Sequence, residues 1–300
     1  MKKLIVIGGA TATGKTALSI RLAQHFRTEI LSADSRQFYR EMSIGTAKPS
    51  PAELAAAPHH FIDILSVAED YSVGDFERDA LAILQGIFIE KDVAILVGGS
   101  GLYLRAVYEG LDKFPEISPE TKKHLEEAEK SGGLQWLQRE LAERDPLQFS
   151  KIDQQNPARL RRALEVCLET GQPYSSFLQQ SERNPRTFQP IYILLDLPRP
   201  ELYARIESRV DAMIAAGLEE EARGLLQYRN RPPLSTVGYE EFFDFFDGEL
   251  SRDKAIDKIK QHSRNYAKRQ VTWFAKHGDW KVFRPEEEAE ILEFVKLRVT

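Results

Sequence analysis

Residues 4–18 read LIVIGGATATGKTAL, and this stretch leaves the chain very few folds to choose from. A short apolar run leads into Gly9, four spacers, and then Gly14-Lys15-Thr16. A helical pattern follows, with Leu18, Leu22 and Phe26 on one face and Arg21, Gln24 and His25 turned outward. The loop matches G-x-x-x-x-G-K-[ST] in full and has the strand before it and the helix after it that the motif requires. Its residues are Gly9, Ala10, Thr11, Ala12, Thr13, Gly14, Lys15 and Thr16. Glycines let successive backbone N–H groups point into one concavity, and the helix N-terminus adds about half a positive charge. Lys15 reaches toward the outer phosphates, and the Thr16 hydroxyl is placed to bind Mg²⁺. The motif is of the nucleotide-binding, ATP-binding type, yet it requires only a di- or triphosphate and does not specify ATP.

Further strand-like runs stand at residues 29–32 (EILS), 93–97 (VAILV) and 191–195 (IYILL). All are short and apolar on both faces, as buried parallel strands are. Helical patterns separate them, so the expected fold is α/β, a P-loop NTPase-like core whose parallel sheet is flanked by helices. Residues 114–189 differ: they show helices without strands. Ser118-Pro119 opens one and Gly132-Gly133 closes it; Leu134, Leu137 and Leu141 stripe a second, which ends at Asp145-Pro146. Asn156-Pro157 opens a third, striped by Leu160, Leu164, Cys167 and Leu168 and stopped by Gly171 and Pro173. The predicted organisation is a core of 1–113 and 190–300, helix-rich after the fourth strand, carrying an all-helical insertion domain at 114–189. The single cysteine, Cys167, excludes an internal disulfide and a Cys-rich zinc module, and its place on an apolar stripe reads as packing. No apolar run approaches the ~20 residues that span a bilayer, and Lys2-Lys3 precedes too short an apolar core for a signal peptide. A cytoplasmic chain with no membrane partner is expected.

A nucleotide hydrolase would add an apolar strand ending in a metal-holding Asp. VAILV runs instead into Gly98-Gly99-Ser100, and Asp196, late in the chain before Leu197-Pro198, reads as a turn residue. Asp34, in SADSRQ after the second strand, is the better carboxylate. Parallel sheets put their ligand crevice at the strands' carboxyl ends, so the first and second loops should face one site. There Asp34 could hold metal through water or take a proton from a nucleophile; a helix cap is the bland alternative. Arg205 and Arg209 share a helix face and could fork a diphosphate, or simply pair with Glu201 or Glu207. Arg159 and Arg162 lie away from the leucine stripe of their helix. Although the net charge is −5, residues 258–276 carry Lys258, Lys260, Arg264, Lys268, Arg269 and Lys276 among Tyr266, Trp273 and Phe274, with no acid between the two end lysines. That is a local basic patch with rings suited to stacking on bases, or an amphipathic helix that buries them. His59 and His60 are adjacent and point different ways, so a structural role is expected rather than metal binding. From these residues alone, a small-molecule P-loop kinase and a nucleotide-gated RNA-binding protein remain open beside a group-transfer enzyme acting on RNA.

Taken together, GATATGKT at 9–16, SADSRQFYREMSIGTAKP at 32–49, HHFIDIL at 59–65, GGSGLYL at 98–104, QNPARLRRALEV at 155–166, LYARIESRVDAMI at 202–214, VGY at 237–239 and SRNYAKRQVTWF at 263–274 resemble the tRNA dimethylallyltransferase, or tRNA isopentenyltransferase, family in its bacterial form. The resemblance runs nearly end to end. It implies transfer of a dimethylallyl group from dimethylallyl diphosphate to the exocyclic amine of the adenosine 3′ of the anticodon in tRNA, with diphosphate as the leaving group. In that scheme Asp34 is the general base, Lys15, Arg209 and Mg²⁺ on Thr16 stabilise the departing diphosphate, and Thr13 and Ser100 line the reaction centre. The implied tRNA contacts are Asp34, Ser35, Arg36, Gln37, Ser100, Lys122, Gln155, Asn156, Pro157, Ala158 and Arg159, with the insertion gripping the anticodon stem-loop and the protein acting as a monomer. Three positions depart from the family pattern: Ala10 replaces a usual Pro, Ser100 a frequent Thr, and Ser235-Thr236-Val237 stands where an Arg commonly precedes Gly238-Tyr239.

Overall fold

The computed structural model describes residues 1–178 and 185–299. Its elements run β1 (Lys2–Gly9), α1 (Lys15–Phe26), β2 (Ile30–Ser32), α2 (Pro51–Ala56), β3 (His59–His60), α3 (Val73–Glu90), β4 (Val93–Val97), α4 (Gly101–Tyr108), α5 (Pro119–Arg144), α6 (Pro146–Phe149) and α7 (Pro157–Thr170). Then follow β5 (Phe188–Leu195), α8 (Arg199–Ala215), α9 (Leu218–Gly224), α10 (Glu240–Phe246), α11 (Arg252–Lys276), β6 (Lys281–Phe283) and α12 (Glu288–Val299). The strands make one six-stranded sheet in the order β3-β2-β4-β1-β5-β6, and every pairing is parallel. The carboxyl ends of all strands therefore share one edge.

Alternation along β1 splits the core in two, because successive side chains leave a strand on opposite faces. Leu4 and Val6 join Leu96, Phe76, Leu84, Leu104 and Phe274 on one face. Ile5 and Ile7 join Ile95, Ile193, Leu18, Leu22, Ile291 and Val295 on the other. With helices over both faces, apolar residues at every β1 position from Leu4 to Ile7 are fully buried.

Two strands escape the sequence reading. His59–His60 forms β3 at one edge and Lys281–Phe283 forms β6 at the other, so the C-terminal third is not purely helical. Two or three residues are too few to show a period, and tertiary pairing alone makes them strands. The histidines act structurally: His59 Nδ1 contacts the Ala57 carbonyl at 2.8 Å and His60 Nε2 contacts Glu29 at 2.7 Å. Strand β5 starts at Phe188, two residues before the expected core boundary, because Phe188 and Gln189 pair with Lys2 and Lys3.

Two compact units result, Met1–Glu109 with Arg186–Thr300, and Gly110–Pro185. The expected insertion also spans residues 179–184, which lie outside the described residues. The second unit packs Leu125, Leu137 and Leu141 of α5 against Leu160, Leu164 and Cys167 of α7. Gly133, at φ 60°, breaks α5 where the glycine pair predicted an end. Asn156 caps α7 by accepting from the Arg159 N–H, and Gly171 closes it at φ 68°. Asp145 is almost fully buried and takes the N–H of Gln148 and both the N–H and the hydroxyl of Ser175, tying three segments together.

Candidate active site

At the carboxyl edge of the sheet, the loop after β1, the turn after β2 and helices α8 and α11 enclose a cavity of about 340 Å³. Thr11, Gly14, Lys15 and Thr16 line it from the glycine loop, Asp34 and Arg36 from the β2 turn, Arg209 from α8, and Tyr266 and Gln270 from α11. An apolar part is supplied by Ile206, Val210, Met213, Leu218, Val237 and Ile259. The cavity thus joins a cationic, donor-rich region to a hydrocarbon-lined one.

The loop turns as its glycines require, with Gly14 at φ 87° just before α1. Lys15 donates to the Ala10 carbonyl of its own loop at 2.7 Å. An ammonium has three donors, so this contact leaves capacity for an anion. Burial pushes Lys15 down from 10.5 to about 8, with Arg209 adding to the fall and Asp34 opposing it. Thr16 lines the cavity. Thr13 is turned the other way. It is completely buried, outside the cavity lining, and its hydroxyl donates to the Ala10 carbonyl at 2.9 Å. Ala10 thus collects two donors on one carbonyl, and the loop braces itself.

The two arginines of α8 part company. Arg205 is exposed and pairs with Glu201 at 2.8 Å, the surface alternative. Arg209, one turn on, donates to the Thr11 hydroxyl at 2.9 Å and faces the cavity. Burial lowers its pKa and the nearby Asp34 charge raises it. Asp34 accepts from the Arg36 N–H at 3.2 Å, closing a tight turn. Ser100 and Ser35 hydroxyls lie 3.4 Å apart, both outside the cavity lining. The Tyr266 ring is partly exposed while its hydroxyl is enclosed; burial, then Asp34, push that hydroxyl up to about 12. Gln37 is occupied internally, its amide donating to the carbonyls of Thr46 and Ala47. Asp196 stays out of the cavity lining, its N–H bonded to the Phe283 carbonyl beside β6.

Sequence reasoning missed Gln270. Its side chain accepts from the Thr11 N–H and donates to the Gly99 carbonyl, both at 2.9 Å, and so ties the glycine loop to the end of β4. A Cβ at Gly99 would stand 2.3 Å from that amide, so a side chain there would displace the Gln270 contact. The available signal was periodicity: Ala267, Gln270 and Phe274 form one buried stripe, and a polar residue in such a stripe needs partners. The basic stretch divides likewise. Lys260 pairs with Asp211 and Arg264 with Glu207, both at 2.6 Å on α8, and Phe274 enters the core. Lys258, Lys268, Arg269 and Lys276 form no ion pair among the described residues; Arg269 lies over the Tyr266 ring.

In the helical unit, Lys122 and Arg159 have no ion pair among the described residues, and Arg159 is exposed. Arg162 pairs with Glu165 at 3.0 Å and covers the Phe114 ring. Gln155 is held through its N–H by Asp153, and Pro157 and Ala158 form the exposed first turn of α7.

The family model for IPP transferase matches residues 37–277. A tRNA dimethylallyltransferase of Christiangramia forsetii is 50% identical over 99% of this chain and 98% of its own length. The chain belongs to the IPP transferase family. Another relative so named, from Cytophaga hutchinsonii, is 47% identical over 99% of this chain and 98% of its own. Among solved structures, the tRNA isopentenylpyrophosphate transferase of Bacillus halodurans superposes with a TM-score of 0.74 at 35% identity, covering 100% of this chain and 97% of that one. A eukaryotic dimethylallyltransferase captured acting on tRNA gives a TM-score of 0.78 at 28% identity over 91% of this chain and 70% of the other. The IPP transferase model begins at Gln37, so the glycine loop and Asp34 lie outside the matched residues. No helix among the described residues is long and apolar enough to cross a membrane.

Proposed function

We propose that this IPP transferase moves a dimethylallyl group from dimethylallyl diphosphate to the N6 amine of the adenosine 3′-adjacent to the anticodon in tRNA, releasing diphosphate. One observation carries the reading: a lysine, an arginine and a carboxylate share one cavity that is hydrocarbon-lined elsewhere. Cationic donors match a diphosphate, the apolar lining matches a five-carbon chain, and the carboxylate matches a nucleophile that must lose a proton.

In the transfer the amine nitrogen bonds to the allylic carbon as that carbon's bond to the diphosphate oxygen breaks, and the electron pair leaves with the diphosphate. Asp34 accepts the amine proton, a step worth about 10²- to 10⁴-fold in comparable systems. Lys15, Arg209 and the loop N–H groups hold the leaving group where its charge grows. Thr16 would offer its hydroxyl to Mg²⁺ here, with the Asp34 carboxylate lining the same cavity, and the described residues hold no cluster of three acidic, histidine or cysteine ligands. That fits an ion bound through phosphate oxygens and waters. When bound, Mg²⁺ supplies charge neutralisation at the diphosphate. Thr13 supports the loop rather than touching substrate, and Ser100 acts beside Ser35 and Tyr266. The adenosine reaches Asp34 only after leaving the base stack, at a cost on the order of a few kcal/mol. Ser35, Arg36 and Gln37 flank it, while Lys122 and Gln155–Arg159 meet tRNA from the helical unit, in the cytoplasm.

Purified protein incubated with Mg²⁺, dimethylallyl diphosphate and unmodified tRNA should yield a prenylated adenosine on nucleoside mass analysis. Absence of product above an Asp34→Ala control would end the proposal; γ-phosphate transfer from ATP to a small molecule would replace it with a kinase.

A further inference from the structure

Glu221 stands on α9, outside the cavity lining, yet its carboxylate collects four donors from two distant segments. One oxygen accepts from the N–H groups of Ser43 and Ile44 at 2.9 and 2.8 Å. The other accepts from the Gly45 N–H at 2.9 Å and the Tyr239 hydroxyl at 2.7 Å. Hydrogen bonds to an ionised carboxylate are the strong kind, and four of them fix a backbone segment that has no regular structure of its own. Tyr239 is fully buried, and burial together with Glu221 pushes its phenol well above the usual range, which keeps it a donor. Gly45 permits the closure, since a Cβ there would lie 2.6 Å from the Tyr239 oxygen.

The clamped segment leads directly into the site. Gly45, Thr46 and Ala47 form part of the cavity wall. The carbonyls of Thr46 and Ala47 accept both donors of the Gln37 amide, at 3.1 and 3.2 Å. The Gln37 N–H in turn donates to the Asp34 carbonyl at 3.0 Å. Hydrogen bonds at both ends of the 43–47 backbone thus join α9 to the turn that presents Asp34.

We infer that Glu221 is a positioning residue for Asp34, acting through the Ser43–Ala47 loop and Gln37. This rests on the reading of Asp34 as the base. Glu221→Gln keeps the shape but turns one acceptor oxygen into a donor that faces N–H or O–H groups, so the clamp opens without a cavity. Tyr239→Phe removes one donor and keeps the ring.

Both variants and the parent chain are compared by amide exchange, pyrophosphate binding and prenyl transfer to tRNA. In Glu221→Gln, exchange over residues 34–47 should quicken and kcat should fall, each about tenfold, the scale of lost support to a site residue. Pyrophosphate affinity, KM for dimethylallyl diphosphate and exchange over the glycine loop should stay within about twofold. Tyr239→Phe should move the same quantities in the same direction by about threefold, and decides the matter alone if the glutamine variant does not fold. Unchanged kcat, unchanged exchange at 34–37, or parallel loss of pyrophosphate binding and glycine-loop protection would each overturn the inference, the last by making Glu221 a general stability residue. If the parent chain transfers no dimethylallyl group, the function fails separately, and the exchange at 34–37 still decides whether Glu221 holds that turn.

Discussion

The cavity of the α/β unit and the first turn of α7 in the helical unit treat the same kind of residue in opposite ways. Around the cavity, Arg209, Lys15 and Gln270 are enclosed, and each already holds a protein partner. At α7, Arg159 is exposed with no ion pair among the described residues. Bond-breaking chemistry gains from charges fixed in advance where water is scarce, because they need no reorganisation as the leaving group forms. A nucleic-acid backbone instead needs solvated, adaptable cations whose attraction is felt at a distance and screened by salt. The two regions of this IPP transferase should therefore fail differently when altered.

Asp34→Ala offers the largest contrast. Transfer should fall by about 10²- to 10⁴-fold while pyrophosphate binding survives, as separate rate and calorimetric measurements would show; equal loss of both would mean that the carboxylate serves the phosphate instead. Next come the α8 arginines. Arg209→Ala should cost about 10²-fold in kcat/KM, whereas Arg205→Ala, which breaks only a surface pair, should stay within about twofold. Similar effects from both would erase the distinction between enclosed and solvated charge.

Acidity gives a smaller effect with a definite sign. Lys15 is pushed down from 10.5 to about 8, so the free protein loses this positive charge as pH rises through 8. Pyrophosphate affinity should then drop about tenfold per pH unit above that point, a slope that Lys15→Met should abolish. Stability responds oppositely: between pH 8 and 10.5 the unfolded chain holds the proton and the folded one does not, so this residue makes folding more favourable as pH rises. Arg159→Ala should matter least, raising the KM for tRNA severalfold, leaving pyrophosphate binding alone, and lowering the salt slope of tRNA binding by about 0.7 to 0.9. A change in kcat with no change in salt slope would place Arg159 with the enclosed group.

Much of this was legible in the chain because the signals are local. Four apolar residues, a glycine loop and a period of four specify strand, cradle and helix over residues 4–26, and the structure has Lys2–Gly9 and Lys15–Phe26 around that loop. Pro119, Gly133, Asn156 and Gly171 punctuate the helical unit through backbone constraints that neighbours do not alter. Asp34 was accessible for a related reason: a parallel sheet sends the ends of β1 and β2 to one edge whatever the order of its strands.

Tertiary structure alone chose between equals. Arg205 and Arg209 carry the same side chain one turn apart, and only the seating of α8 against the glycine loop sends one to Thr11 and the other to Glu201. Thr13 sits in the cradle by sequence but turns its hydroxyl into the loop. Gln270, Glu221 and the edge strands β3 and β6 depend on partners tens to hundreds of residues away. Short-range sterics and hydrogen bonding write the local elements into the sequence; which long side chain meets which backbone group is fixed only when the sheet order brings distant segments within 3 Å.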